Sequence, residues 1–309
     1  MRRFGPFCRK NTSSAPVVTR PIYLHAGAHR TGTSSFQLCL VENADYLGAQ
    51  GYAVAHPGRD RVPGGNLKLR LPAPRHAAGD RSKFVNVARQ TLHEASPDPD
   101  RPLIMSEENI AGRMMHFEYG RFYPSSYERF QTLREAIEDA PLDVLLVVRS
   151  YAQLFLSAYR KRAEGVKVNP FSVLKPKLMQ MDRGWPEIVA QAQEVLRPRR
   201  FVVIDYKNRG SSCDLLGHLV PGLEAERLVE PSKTLNPSAT DAALDALQAR
   251  YRAGESLLPR DIDAVAAEHA ENRDSTGFAE FSGAQYAKLN RRYARDLERI
   301  RALPEITVI

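Results

Sequence analysis

The chain has 309 residues, 43% hydrophobic and 26% charged, enough to bury a substantial core and ordinary for a folded protein that faces water, which sets aside disordered and membrane-embedded classes. Its formal charge of +8 is confined to two places, residues 1–20 with five basic side chains and no acid and residues 55–83 with seven against two, so a local anionic partner fits better than a nucleic-acid surface. Three cysteines, Cys8, Cys39 and Cys213, stand far apart without metal-ligand spacing, so neither a disulfide framework nor a metal site is expected, and a reducing, cytoplasmic location fits best.

Residues 1–19 read as a flexible basic tail, because the arginines of a signal-like start break off at Phe4-Gly-Pro-Phe-Cys-Arg-Lys10 before any apolar core. No run approaches the ~20 apolar residues of a membrane span. Composition does not break after the tail, so residues 20–309 are expected to form a single α/β domain. Pro21 to Gln37, PIYLHAGAHRTGTSSFQ, opens it as a buried strand, a tight glycine loop and the start of a helix. Gly27 and Gly32 punctuate the turn, and Thr33, Ser34 and Ser35 bring hydroxyls to the point where a helix leaves its first N–H groups unpaired. Those N–H groups and the positive end of the helix dipole suit a phosphate-like anion. The Gly27-x4-Gly32 frame is that of a Walker A loop, but Thr33 stands where the lysine belongs, which argues against an ordinary ATP or GTP site. The loop's cation comes early, as Arg30, a guanidinium that stays charged and grips an oxyanion in a planar fork.

Beyond the loop, a helix begins over Thr33–Leu40, and Leu47–Val54 leads to a short apolar stretch. Residues 56–75 carry four prolines and three glycines and read as a long loop, either holding an anionic acceptor with its basic side chains or lying as a solvated insertion. A helix over Phe84–Ala95 is followed by a second strand that emerges from Pro102-Leu-Ile-Met-Ser into Glu107, Glu108 and Asn109, at the edge where open α/β sheets place ligands. If the strand persists to that edge, neighbouring carboxylates point to opposite faces and only one reaches a substrate. Aromatic residues crowd 114–130 and read as core before ligand platform. A helix over 128–140 precedes PLDVLLVVR, Pro141–Arg149, the clearest buried parallel strand, and then the helical SYAQLFLSAYRKRAE with Ser157 eight residues after Arg149. An arginine closing a strand and a serine on the next helix can converge on a dianion. RFVVIDY, 200–206, is a fourth strand, so strands and helices alternate as in an open parallel sheet. Ser238 is expected to cap a helix over 239–253, Pro259 to open one to about Asn272, and Ser282 a third with an apolar stripe from Tyr286 to Ile300.

HRTGTSS after a strand resembles the 5′-phosphosulfate loop of the PAPS-dependent sulfotransferase superfamily, with Arg30 where that loop usually has lysine. Pro102–Asn109 is similar to that superfamily's SSEN-like segment, aligning Glu108 with its acid, and VVRSYAQLFLSAYRKRAE to its 3′-phosphate segment, aligning Arg149 and Ser157. Thr234–Ser238 is similar to a run that often precedes its last helices. The resemblance implies a P-loop-like three-layer α/β fold with a central parallel sheet flanked by helices. It also implies transfer of a sulfuryl group from 3′-phosphoadenosine 5′-phosphosulfate, without a metal, to a hydroxyl or amine of a small molecule or carbohydrate. In that reading His29, Arg30, Thr31, Gly32, Thr33 and Ser34 hold the donor's phosphosulfate end, Arg149 and Ser157 its 3′-phosphate, Arg30 steadies developing charge and Glu108 deprotonates the acceptor. A nucleotide or small-molecule kinase, and a non-catalytic anion-binding protein of the same fold, remain as alternatives.

Overall fold

Seven consecutive buried residues, LDVLLVV, form a central strand of a sheet whose six strands are all parallel, in the order β2-β3-β1-β4-β5-β6. The structure, a computed structural model, describes residues 20–76, 79–232 and 238–309, so the expected tail and Thr234–Pro237 lie outside the described residues. In chain order the elements are β1 (Ile22–His25), α1 (Thr33–Glu42), α2 (Ala44–Ala49), β2 (Ala53–Ala55), α3 (Arg81–Ala95), β3 (Leu103–Ser106), α4 (Ser126–Ile137), β4 (Leu142–Val148), α5 (Tyr151–Gly165), α6 (Phe171–Met179), α7 (Trp185–Leu196), β5 (Arg200–Asp205), α8 (Ser212–Leu219), α9 (Asp241–Arg252), α10 (Pro259–Glu268), α11 (Gly283–Arg301) and β6 (Ile306–Val308).

The period of two along the strands sorts the core into layers. Leu142, Val144, Leu146 and Val148 face a large apolar cluster with side chains of α3, α4, α5, α7 and α11, while Leu145 and Val147 face a smaller one with Phe36, Cys39 and Leu40 of α1 and Leu215, Leu216 and Leu219 of α8. The result is a three-layer α/β fold, helices on both faces of one sheet. Each such side chain, fully buried, contributes about 1.5–3 kcal/mol. Asp143 is the exception on β4, buried but paired with Arg199 at 2.9 Å and Arg200 at 3.5 Å.

Strand order fixes where a ligand can go. The chain runs from β1 outward to β2, returns to β3, then crosses to β4 on the other side of β1, with α1 and α5 leaving toward opposite faces. Adjacent strands whose connections diverge leave a crevice at their carboxyl ends. That crevice is bounded by the loop after β1 and by Arg149 after β4.

Several expectations change. The sheet has two more strands than the apolar runs indicate, β2 and β6, each three residues long and mostly half-exposed, too short to show a period. Residues 56–75 are not a solvated insertion: Leu67, Leu69 and Leu71 are buried while Lys68 and Arg70 between them are exposed, so the segment lies flat on the core. The cap of α9 is Thr240, whose hydroxyl accepts from Ala243 N at 3.2 Å, rather than Ser238. α10 stops at Glu268, short of Asn272. The aromatics at 117, 122, 123 and 130 are core, with Phe117 edge-on to Phe155 and Phe122 edge-on to Trp185. Among the described residues no helix is long and apolar enough to cross a membrane.

Candidate active site

The loop after β1 has the shape its glycines dictate. A Cβ on Gly27 would lie 2.5 Å from the Thr33 hydroxyl and 3.0 Å from the His25 ring, so only glycine lets the chain pass between the strand end and the helix start. Gly32, at φ 88°, is the N-cap of α1 and brings no side-chain cap, so the first-turn N–H groups are left for another acceptor. Arg30 also has a left-handed backbone, at φ 65°, which carries its side chain across to α5.

A cavity of about 420 Å³ opens over this loop and gathers most of the residues singled out in the sequence: His29, Arg30, Gly32, Thr33, Ser34, Glu108, Arg149 and Ser157 all line it. Arg30 Nε donates to Ser157 Oγ at 2.8 Å, and Arg149 Nη1 donates to the Arg30 carbonyl at 2.6 Å. Arg149 is itself held from behind, its carbonyl accepting from Trp185 Nε1 at 2.8 Å and its guanidinium lying 4.4 Å over the Tyr206 ring. Burial, with Arg30 nearby, lowers the Arg149 pKa from its ordinary value. The sequence reading gives Arg30 and Ser157 to different parts of a donor; here they touch, because the left-handed turn at Arg30 aims it at α5.

Thr31 is not among the residues lining the cavity. Its side chain is buried and its hydroxyl donates inward to Ala28 O at 2.6 Å, tightening the turn rather than facing the cavity. Thr33, which lines the cavity, likewise spends its hydroxyl on Ala28 O, at 3.3 Å. Ser34 Oγ donates to Asp60 at 3.0 Å.

The opposite wall carries the carboxylates. Glu107 N bonds His25 O at 3.1 Å, so strand pairing persists to this edge and the neighbouring side chains diverge. Glu107 is buried, accepting both Arg59 Nη1 at 2.7 Å and Nη2 at 3.1 Å, and the backbone and side-chain nitrogens of Asn109 at 2.9 Å each. Glu108 lines the cavity, with Arg59 at 3.7 Å. Burial, then the Asp60 and Glu107 charges, push its pKa up to about 7, against the pull of Arg59 and Arg30. A carboxyl poised there can take a proton near neutral pH. Burial pushes His25 and His29 down to about 3, leaving both imidazoles neutral.

The basic segment supplies less free charge than its composition implies. Arg59 is committed to Glu107 and Arg61 to Asp263 of α10, so neither is available as an open anchor for an anionic acceptor. The cavity's further charges come from residues the sequence reading passed over: Lys161, Arg209 and Asp60. Lys161 follows Ser157 by four helical residues and so shares its face, a spacing visible in the sequence. Arg209 lies just past the carboxyl end of β5, where the ligand rule for open sheets applies. Asp60, in an aperiodic loop, had no signal.

Cys39 and Cys213, distant in sequence, bring their sulfurs to 3.8 Å between α1 and α8, and with a Glu230 oxygen the three ligand atoms lie within 4.8 Å of one another. Both Glu230 oxygens accept N–H groups at the start of α8, from Ser212 at 2.9 Å and Cys213 at 2.8 Å, and burial raises the pKa of both thiols. Comparison with protein-family models gave no match, and comparison with curated proteins gave none.

Proposed function

We propose that the protein is a sulfotransferase that moves a sulfuryl group from 3′-phosphoadenosine 5′-phosphosulfate to a hydroxyl or amine of a small molecule or carbohydrate. The observation that carries the reading is the Arg149–Arg30–Ser157 contact beside a lysine-free glycine loop, with Glu108 lining the same cavity. The sequence resemblance assigns those residues to such a donor; the cavity's volume is within the few hundred Å³ usual for small-ligand sites. The acceptor oxygen or nitrogen attacks sulfur in line, the bond from sulfur to the 5′-phosphate oxygen breaks, and charge collects on the leaving phosphate. First-turn N–H groups of α1 and Arg30 stabilise that charge, and Glu108 takes the acceptor's proton. Arg149 and Ser157 hold the 3′-phosphate.

A kinase is the second reading, favoured by Ser34, which occupies the Walker hydroxyl position and lies 3.0 Å from the Asp60 carboxylate, a pair suited to a divalent cation. Magnesium-dependent phosphate transfer from ATP would establish it. The sulfotransferase reading predicts that 3′-phosphoadenosine 5′-phosphate raises stability by about 2.7 kcal/mol at a hundred times its dissociation constant, with AMP far weaker. Arg149→Ala should abolish that preference, and equal responses of the parent protein to the two nucleotides would overturn the reading. A screen of acceptors with labelled donor then separates enzyme from binder.

A further inference from the structure

We infer that Arg209 is the cation that closes over the anionic group seated at the N-terminus of α1, doing from the end of β5 what a lysine does in a Walker loop; the inference rests on the donor reading above.

The position that would carry that lysine is Thr33, a neutral residue whose hydroxyl is spent on Ala28 O. Arg30, which serves the leaving phosphate through its terminal nitrogens, gives its Nε to Ser157 on α5, and its carbonyl is held by Arg149. Among the described residues, the guanidinium that lies against the helix start is that of Arg209. A Cβ on Gly32, the N-cap of α1, would lie 2.9 Å from Arg209 Cζ, 3.1 Å from Nη2 and 3.2 Å from Nε, so the guanidinium lies against the residue that opens the helix. Glycine at 32 therefore serves two ends, the left-handed turn and the close approach of this cation.

Arg209 is held in place yet weakly engaged. Its Nη2 reaches Ser212 Oγ only at 3.5 Å, and its guanidinium stands 6.0 Å from the Tyr206 ring. Its Nε is buried with no partner among the described residues. That shielded donor is open to an acceptor that a ligand brings into the cavity Arg209 lines. Both guanidiniums neighbour the Tyr206 ring, Arg149 at 4.4 Å and Arg209 at 6.0 Å, and the assignment gives them separate groups: Arg209, against Gly32, the phosphosulfate end over α1, and Arg149 the 3′-phosphate.

The separation makes the assignment testable by calorimetric titration with three nucleotides, AMP, adenosine 3′-monophosphate and 3′-phosphoadenosine 5′-phosphate. Losing one charge-assisted contact costs about 10–100-fold in affinity. Arg209→Ala should weaken AMP and the bisphosphate by that factor and leave the 3′-monophosphate unchanged, with Arg209→Lys intermediate because it keeps the charge and loses the fork. Arg149→Ala should give the complementary pattern. If the parent protein binds the nucleotides and Arg209→Ala leaves AMP untouched, or weakens all three equally by disturbing Tyr206, the assignment of Arg209 is overturned while the donor reading stands. Failure of the parent protein to bind any of the three overturns the donor reading itself.

Discussion

Glu107 and Glu108 are adjacent residues of one chemistry with two roles set by their surroundings. Glu107 is saturated by Arg59 and Asn109, whereas Glu108 faces the cavity with its pKa pushed to about 7. Glu108→Gln should lower kcat for sulfuryl transfer by about 10²–10⁴-fold while leaving nucleotide affinity intact. In the parent protein the rate of the proposed transfer should rise with pH and level off above about 7, as the carboxyl gives up its proton. Stability should run the other way. A carboxyl whose folded pKa is raised from 4.5 to about 7 carries no penalty below pH 4.5, a growing one between, and the full one above 7. Glu108→Gln should therefore be more stable than the parent at pH 8, by up to about 3 kcal/mol, and equal to it near pH 4.5, as denaturant titrations at the two pH values would show. Arg59→Ala strips the paired guanidinium from a carboxylate whose side chain is 2% exposed. Because Arg59 itself is partly in water, the expected loss is about 1–3 kcal/mol in urea melts. Arg59 also pulls the Glu108 pKa down, so the midpoint of the pH–rate curve should move upward in the same variant. A melt and a pH curve both like the parent's would reduce the Arg59 pair to surface decoration.

Among the elements, the strand–loop–helix unit at 22–42 is the most constrained. Gly27→Ala would drive a methyl into Thr33, and the loop must shift to admit it. A displacement of that size at a reacting group can cost about 10²-fold in rate, whereas the two cores on either face of the sheet, to which Leu24 and Phe36 belong, are untouched. Activity should thus fall much further than the melting temperature, and a parallel loss of both would mean that the loop also carries the fold. The remaining walls of the site are braced by elements with no ligand to touch: the Tyr293 hydroxyl of α11 donates to Asp205 at 2.9 Å, and the Tyr151 hydroxyl donates to Asp296 at 2.6 Å while accepting from Trp185 N at 2.9 Å. These braces explain what was legible in the sequence. β1, β3, β4 and β5 announced themselves as apolar runs, and the loop and Arg149 as interruptions at their ends. The stripe on α11 was legible as packing, but the sequence could not say that its tyrosine reaches across to the carboxyl ends of β4 and β5, because that contact spans 88 residues. β2 and β6 were hidden by their length, and Arg209 by lying beyond its strand in a turn rather than within a motif.

At the scale of the whole molecule, the order β2-β3-β1-β4-β5-β6 joins pieces that the sequence keeps apart, so that Arg30 and Ser157 meet across 127 residues. It also relocates the charge: the basic stretch at 55–83 neutralises acids of its own neighbourhood through Arg59 and Arg61, and the positive lining of the cavity comes from four separate places, Arg30, Arg149, Lys161 and Arg209. One feature of this arrangement gives the molecule an optical probe of its own. The chain has a single tryptophan, Trp185, with no exposed surface, whose indole N–H is bonded to the carbonyl of Arg149. All indole emission therefore arises one hydrogen bond from the proposed 3′-phosphate contact, in a dry shell of Phe122 and Tyr123. Titration with 3′-phosphoadenosine 5′-phosphate should perturb that emission without any label, AMP should perturb it little, and the Arg149→Ala variant should leave the indole unresponsive to both.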